Sequence, residues 1–426
     1  MPPNVVLIVA DDLGRECLAS YGGESWETPV LDSFAASGMR FSHCYATPWC
    51  FPSRVELLTG KYGFRNTGAW GEFDVDRGTT FAQLLRRAGY ATCVAGKWQL
   101  CRFDDPVNAD HPWRAGFDEH CVWIGELRDA TGERRYTPKY WGPWVWQNGK
   151  RREDPAQRYG EDVFREYLIG FLERSRFRPF FAFYPMLLPH LPYQPTPYSG
   201  PLARAIGALP TRLQRQFDSR YFADYLTYLD RCVGGVLAAL DGLGLRDRTL
   251  VLFTSDNGTD PAISSSMNGR TVRGGKSLMT DVGTRVPLLA SLPGVVPAGS
   301  TCGDLVDLSD FLPTFAELAG APLPTGEIFD GRSFWPQLQG EPGRPREWVY
   351  FQSIQTGFDR AVCTQEWKLL QSGRLYHLTE DPWEERPIVP DGDSAESARV
   401  RARLQAVLDS LAISAPESAK GGRAAR

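Results

Sequence analysis

The pentapeptide Cys50-Phe51-Pro52-Ser53-Arg54, followed by Leu57-Leu58-Thr59-Gly60, sets a thiol and a guanidinium one turn apart. Pro52 suits the first turn of a helix and Gly60 suits its end, so Cys50 is expected at a helix N-terminus. Backbone amides there favour an anion, and Arg54 adds a fixed positive charge. Alone, the pentapeptide fits a buried cysteine beside a structural arginine just as well. Asp11-Asp12 closes the apolar run Val5–Ala10, and Asp256-Asn257 closes Thr249–Ser255. Either pair alone serves equally as a helix cap or a turn. At one sheet edge, together, they supply four oxygen ligands to a hard divalent cation. Lys97 in Gly96-Lys97-Trp98 and His190 in Leu188-Pro189-His190-Leu191-Pro192 follow further strand-like runs, and Lys276 in Arg273-Gly274-Gly275-Lys276 lies beyond the Asp-Asn pair. A lone lysine or histidine is ordinarily surface or core filler, but loops after parallel strands gather in one cleft.

The 426 residues suit two domains, or one large α/β domain with an appendage. Hydrophobic residues at 42% and charged residues at 23% exclude wholesale disorder. Lys plus Arg number 47 against 51 Asp plus Glu, so no global basic field calls for nucleic acid or an anionic membrane as partner. The five histidines, His43, His111, His120, His190 and His377, are too few for a multi-histidine zinc centre, which directs any metal to oxygen ligands. No apolar run approaches the roughly 18 residues of a membrane span. Val5–Ala10 has no basic segment before it and reads as a buried strand rather than a signal peptide. Nine cysteines, odd in number and without a C-x-x-C pair, fit a reducing cytoplasm, with an exported mature form as the alternative.

The elements that must position these groups alternate. Strands are expected at Val5–Ala10, Ala91–Gly96, Phe180–Tyr184 and Thr249–Ser255, and helices at Thr28–Gly38, Thr79–Gly89 and Asp218–Gly242. This order predicts an α/β fold with a large mixed, mostly parallel sheet sandwiched by helices. The catalytic domain is expected over residues 1–330. Within it, 106–155 reads as an irregular aromatic-rich insertion, either a lid or a self-packed surface, and Pro185–Pro210 as a proline-rich loop. A small C-terminal α+β subdomain is expected over 331–412, with strands near Trp348–Phe351 and Trp367–Leu370 and a helix over Ser394–Leu411. The tail 413–426 reads as disordered.

Taken in order, these motifs resemble the sulfatase family of the alkaline-phosphatase-like superfamily. Cys50-Phe51-Pro52-Ser53-Arg54 matches its Cys-x-Pro-Ser-Arg signature. Gly283-Thr284-Arg285-Val286-Pro287 resembles its G-x-R-V-P stretch, and Leu375-Tyr376-His377-Leu378 with Asp381-Pro382 resembles its closing L-Y-D-L…D-P segment. The resemblance implies hydrolysis of a sulfate monoester on a small molecule or saccharide. It implies conversion of Cys50 to Cα-formylglycine by a formylglycine-generating enzyme, and a hydrated aldehyde oxygen that attacks sulfur. It also implies a Ca2+ ion, with Mg2+ or Mn2+ as alternatives, held by Asp11, Asp12, Asp256, Asn257 and position 50. Asp256 would take the nucleophile's proton. Lys97, Lys276 and His190 would clamp sulfate, Lys276 or His190 would protonate the leaving alcohol, and Arg54 would hold the site in register.

Two positions depart from the family pattern. Phe51 is bulky where a small residue is usual. Gln99 stands in Gly96-Lys97-Trp98-Gln99 where the family has histidine, and glutamine contacts substrate without carrying a proton. Arg102 and His111 are further candidate contacts to an acidic sugar or a second sulfate. A phosphonate monoester or phosphodiester hydrolase shares the nucleophile signature and is the nearest rival. A catalytically impaired binder of sulfated ligands, motivated by Gln99, is the rival of another class.

Overall fold

The structure is a computed structural model that describes residues 2–66, 72–128, 132–152, 157–199, 219–353 and 359–413. Among these, ten strands make one sheet: β1 Asn4–Ala10, β2 Met39–Tyr45, β3 Ala91–Lys97, β4 Glu119–Trp123, β5 Val145–Gln147, β6 Lys150–Arg152, β7 Phe180–Pro185, β8 Thr249–Ser255, β9 Arg285–Ser291 and β10 Ser300–Asp307. Their order is β10-β2-β9-β8-β1-β7-β3-β4-β5-β6. The central run β8-β1-β7-β3-β4 is parallel. Every residue of β1, β3, β7 and β8 is buried, which explains their nearly continuous apolar character: helices cover both faces.

The period of two sorts β1 between two cores. Val6 and Ile8 pack beneath the helices Pro29–Ala36, Gly160–Ser175 and Phe222–Gly242. Val5, Leu7 and Val9 face Cys50–Thr59, Phe81–Arg87 and Phe311–Leu318. The register Asn4↔Thr249 through Ala10↔Ser255 brings the ends of β1 and β8 level, so Asp11 and Asp256 leave the sheet side by side. β7 flanks β1 on the other side with Val9↔Pro185, and β3 ends in Lys97 itself.

The segment 106–155 is not a lid apart from the sheet. Glu119–Trp123 is the fifth parallel strand and Val145–Arg152 forms a hairpin along the sheet edge. Its strands are only three to five residues long and lie among Trp, Gly and Pro, too short to register as periodic runs. The helix Gly160–Ser175 was also not foreseen, although Val163, Phe164, Leu168, Phe171 and Leu172 share one buried stripe. The tail beyond 413 and residues 200–210 of the proline-rich loop lie outside the described residues. No helix among the described residues is long and apolar enough to cross a membrane.

A second, antiparallel sheet, β11 Val349–Ser353, β12 Asp359–Cys363, β13 Trp367–Leu370 and β14 Leu375–His377, is backed by the helix Ala395–Ile413. Its other face packs on Tyr45 and Met279 of the main body. A buried charge cluster ties the two together. The Lys368 ammonium lies 2.7 Å from Asp281 and 2.9 Å from Glu384. Arg285 lies 3.1 Å from the other Asp281 oxygen. Glu384 accepts the Asp281 amide at 2.5 Å. Burial alone would push the Asp281 carboxyl up, but Lys368 and Arg285 outweigh it and hold the carboxyl down. Replacing Lys368 by methionine leaves two buried carboxylates facing each other, which costs about 3–5 kcal/mol. Guanidinium unfolding at neutral pH should show that loss in Lys368→Met; a loss under about 1 kcal/mol would deny the cluster a stabilising role.

Candidate active site

Three fully buried carboxylates meet at the carboxyl ends of β1 and β8, each answered by a cation. The Lys97 ammonium donates to both Asp11 oxygens, at 2.8 and 2.7 Å. Lys276 donates to Asp12 at 2.6 Å. Arg54 reaches Asp256 through Nε at 2.8 Å and Nη2 at 2.7 Å, and Asp11 at 3.7 Å. Burial opposes ionisation of Asp11, yet Lys97, helped by Arg54, holds that carboxyl well below the usual range. Burial dominates at Asp256 and pushes it up to about 6 against the pull of Arg54. Burial likewise works against Lys97 and Lys276, but Asp11 and Asp12 respectively raise both ammonium groups above their ordinary values.

The backbone that carries the pair is strained. Asp12 has φ +70°, a left-handed value for a non-glycine residue. The turn is held by its neighbours: the Asp12 amide donates to Asp256 at 3.1 Å, Leu13 to Ser255 Oγ at 3.0 Å and Gly14 to Thr259 Oγ1 at 2.9 Å. Cys50 opens the helix Cys50–Thr59, as expected, and Gly60 ends it at φ +65°. The N-cap residue, Trp49, makes no side-chain cap, and the dipole of that helix end favours an anion beside Cys50. Burial pushes the Cys50 thiol up to about 11 despite Lys276 and Lys97, so it is not a thiolate at neutral pH. Gly96 has φ +130°, and a Cβ there would lie 2.0 Å from the Pro185 carbonyl; only glycine lets β3 press against β7 and deliver Lys97.

The ligand atoms of Asp11, Asp12, Cys50 and His190 all lie within 4.8 Å of one another. His190 Nε2 lies 3.8 Å from Asp12. Burial, with Lys139 and Lys276, pushes His190 down to about 3 and leaves the ring neutral. A cavity of about 370 Å³ opens beside it, lined by Lys97, Gln99, Trp123, Lys139, Tyr140 and His190 among others. Gln99, at φ +48°, also lines the adjoining pocket with Cys50 and Lys276.

Two candidates do not reach this site. Arg102 pairs with Glu72 at 3.0 Å. His111 is buried between the Trp98 indole, which donates to its Nδ1 at 3.1 Å, and the Phe73 carbonyl, which accepts from Nε2 at 2.8 Å. Burial holds it neutral, down to about 4, and its work is to brace Trp98 beside Lys97. Two groups went unread in the sequence. Lys139, from the aromatic segment, brings its ammonium 2.8 Å from His190 Nδ1. Glu161, inside the unforeseen helix, accepts the Tyr184 hydroxyl at 2.6 Å and the amides of Leu187 and Leu188 at 2.5 and 3.0 Å, fixing the loop that carries His190. Tyr140 donates to the Leu187 carbonyl of the same loop at 2.7 Å.

A sequence profile described as Sulfatase matches residues 3–321, three quarters of the chain. The chain belongs to the sulfatase family. A second profile, N-sulphoglucosamine sulphohydrolase, C-terminal, matches residues 274–413. Similar proteins include arylsulfatase A of Homo sapiens, 33% identical over 82% of this chain and 70% of its own length. N-acetylgalactosamine-6-sulfatase of Canis lupus familiaris is 31% identical over 82% of this chain and 68% of its own. Among solved structures, Ps i-CgsB superposes with a TM-score of 0.80 at 26% identity, covering 98% of this chain and 94% of its own; another structure of it is a complex with k-i-k-neocarrahexaose. This sulfatase is thus a sulfuric ester hydrolase by family.

The donor set of the sulfatase site suits a hard cation. Asn257 donates through Nδ2 to Asp12 at 2.8 Å, which turns Oδ1 the other way, and that buried oxygen has no hydrogen-bond partner among the described residues. An orphan carbonyl oxygen beside three carboxylates is what a divalent ion bound by oxygen would use.

Glu161 gives the scaffold of this sulfatase a pH signature. Burial pushes its carboxyl up to about 7 from an ordinary 4.5, against its hydrogen bonds. A raised carboxyl value means the folded state holds the proton more tightly. Its stabilising contribution is therefore full below about pH 4.5 and lost as pH rises through about 7. Glu161→Gln keeps acceptor and donor but cannot ionise. Its stability relative to the parent should rise by about 3 kcal/mol between roughly pH 5 and 8, at 1.36 kcal/mol per unit. A flat difference in denaturation across that range would contradict the assignment.

Proposed function

We propose that this sulfatase cleaves the sulfate monoester of a saccharide using Cα-formylglycine formed from Cys50 and a divalent cation, Ca2+ by preference. The observation that carries the reading is the meeting of Cys50 with Asp11, Asp12 and His190 inside a 4.8 Å cluster ringed by Lys97, Lys276 and Arg54. Asp11, Asp12, Asp256 and Asn257 would hold the cation. When present, the cation supplies Lewis-acid polarisation of sulfate and the modified side chain supplies an oxygen nucleophile. Arg54 keeps Asp256 and Asp11 aligned on position 50. Asp256, raised by burial, accepts the proton of the attacking group. Lys97 and Lys276 lie where they can turn from their carboxylates to two sulfate oxygens as charge builds there. The proton for the departing alcohol comes from Lys276 or from His190 Nε2.

A saccharide suits the aromatic cavity beside the nucleophile, since ring faces stack on sugar faces. The oligosaccharide complex recorded for Ps i-CgsB points the same way. The test is direct. After co-expression with a formylglycine-generating enzyme, the tryptic peptide holding Cys50 should be lighter by the difference between CH2SH and CHO. Sulfate esters should then turn over, and Cys50→Ala should lower kcat/KM at least about 10³-fold. Faster cleavage of the phosphonate ester of the same alcohol would instead favour the phosphonate hydrolase reading. An unmodified peptide with no ester cleaved would favour a binding protein.

Gln99 offers a second check. A histidine at this position can take a proton, and a general base is worth about 10²–10⁴ in rate. Histidine also tolerates the left-handed backbone found here. Gln99→His should raise kcat at least about tenfold with little change in KM. An unchanged kcat would mean that the glutamine site has no proton-transfer deficit.

A further inference from the structure

Lys139 is the fourth cation of the site and differs from the other three. Arg54, Lys97 and Lys276 each touch a carboxylate. Among the described residues Lys139 forms no ion pair. Its neighbours are a neutral imidazole nitrogen at 2.8 Å and the faces of Tyr140 at 5.0 Å and Trp123 at 5.6 Å. The residue is only 8% exposed, and it faces the 370 Å³ cavity. Ring faces compensate a buried ammonium only in part, and a cation held in a dry wall with no carboxylate in contact among the described residues stands ready for an anion.

Lys139 and the carboxylate cluster meet opposite nitrogens of the His190 ring. Lys139 meets His190 at Nδ1, whereas Asp12 lies on the Nε2 side, so the imidazole ring stands between Lys139 and the carboxylate cluster. The three carboxylates are already matched by three cations. Lys139 lies in the wall of the cavity, among Trp123, Tyr136 and Tyr140.

We propose that Lys139 binds a second oxyanion on the leaving group, so that the preferred substrate is a saccharide carrying a carboxylate or another sulfate besides the sulfate that is removed. This rests on the sulfatase reading and names its substrate class. The anion accepts from the Lys139 ammonium in a charge-assisted bond, and the sugar ring lies against the aromatic wall. Burial pushes Lys139 down to about 7, and a bound anion restores its full charge.

Binding rather than turnover tests this, on the full chain with Cys50→Ala. Three probes are titrated by calorimetry: glucosamine 6-sulfate, glucosamine 2-N,6-O-disulfate, and a 6-sulfated disaccharide bearing a uronic acid. One of the two doubly anionic probes should bind at least about tenfold more tightly than the singly sulfated sugar, and which one does so tells sulfate from carboxylate. In Lys139→Met that ratio should fall to about one, and Lys139→Arg should retain it. Equal affinity of all three for the Cys50→Ala protein, which needs no further variant to fold, overturns the proposal alone. An undiminished ratio in Lys139→Met does so too. Failure of every probe to bind overturns the sulfated-saccharide reading and this inference with it.

Discussion

Three carboxylates held within a few ångströms of one another in a dry site repel, and each like-charge pair costs about 4 kcal/mol at an effective dielectric of 20. Asp11, Asp12 and Asp256 are in that position because β1 and β8 end level with each other. Everything near them supplies compensating charge. Arg54 comes from the helix opened by Cys50, Lys97 from the last residue of β3, and Lys276 from the long connection after β8. Each cation is held above its ordinary value by the carboxylate it serves, while burial works against it. Such a cluster is poor packing material and a good oxyanion site. Its cations stay charged and can exchange a carboxylate partner for a sulfate oxygen without leaving the site.

The rest of the fold keeps those cations aimed. The C-terminal sheet inserts Lys368 between Asp281 and Glu384, and Asp281 belongs to the same connection as Lys276. A subdomain with no described residue in the site therefore anchors the segment carrying one of its cations. On the opposite flank, Glu161 and Tyr140 bond the backbone of the loop that brings His190. The aromatic segment serves as edge strands of the sheet, as wall of the cavity and as source of Lys139.

Much of the site was legible in sequence. Asp11-Asp12, Asp256-Asn257, Cys50, Arg54, Lys97, His190 and Lys276 follow buried strands or open a helix, and loops after parallel strands must converge. Arg102 and His111 were misleading for a local reason: they follow the Lys97 motif closely, yet the chain turns one toward Glu72 and buries the other under Trp98. Lys139 and Glu161 had no signal at all. One lies among aromatics without periodicity, and the other sits in the first turn of a helix, where an acidic residue is ordinary.

By itself the sequence determined the family, the strand ends that carry the acidic pairs and the helix end that carries the cysteine, because these depend on residue type and short-range spacing. Only the tertiary structure decided which charge answers which. Lys276 and Asp12 are 264 positions apart, and Arg54 and Asp256 are 202. Pairings across such separations are set by strand register and by the energetic need to neutralise a charge out of water, and no local pattern records them.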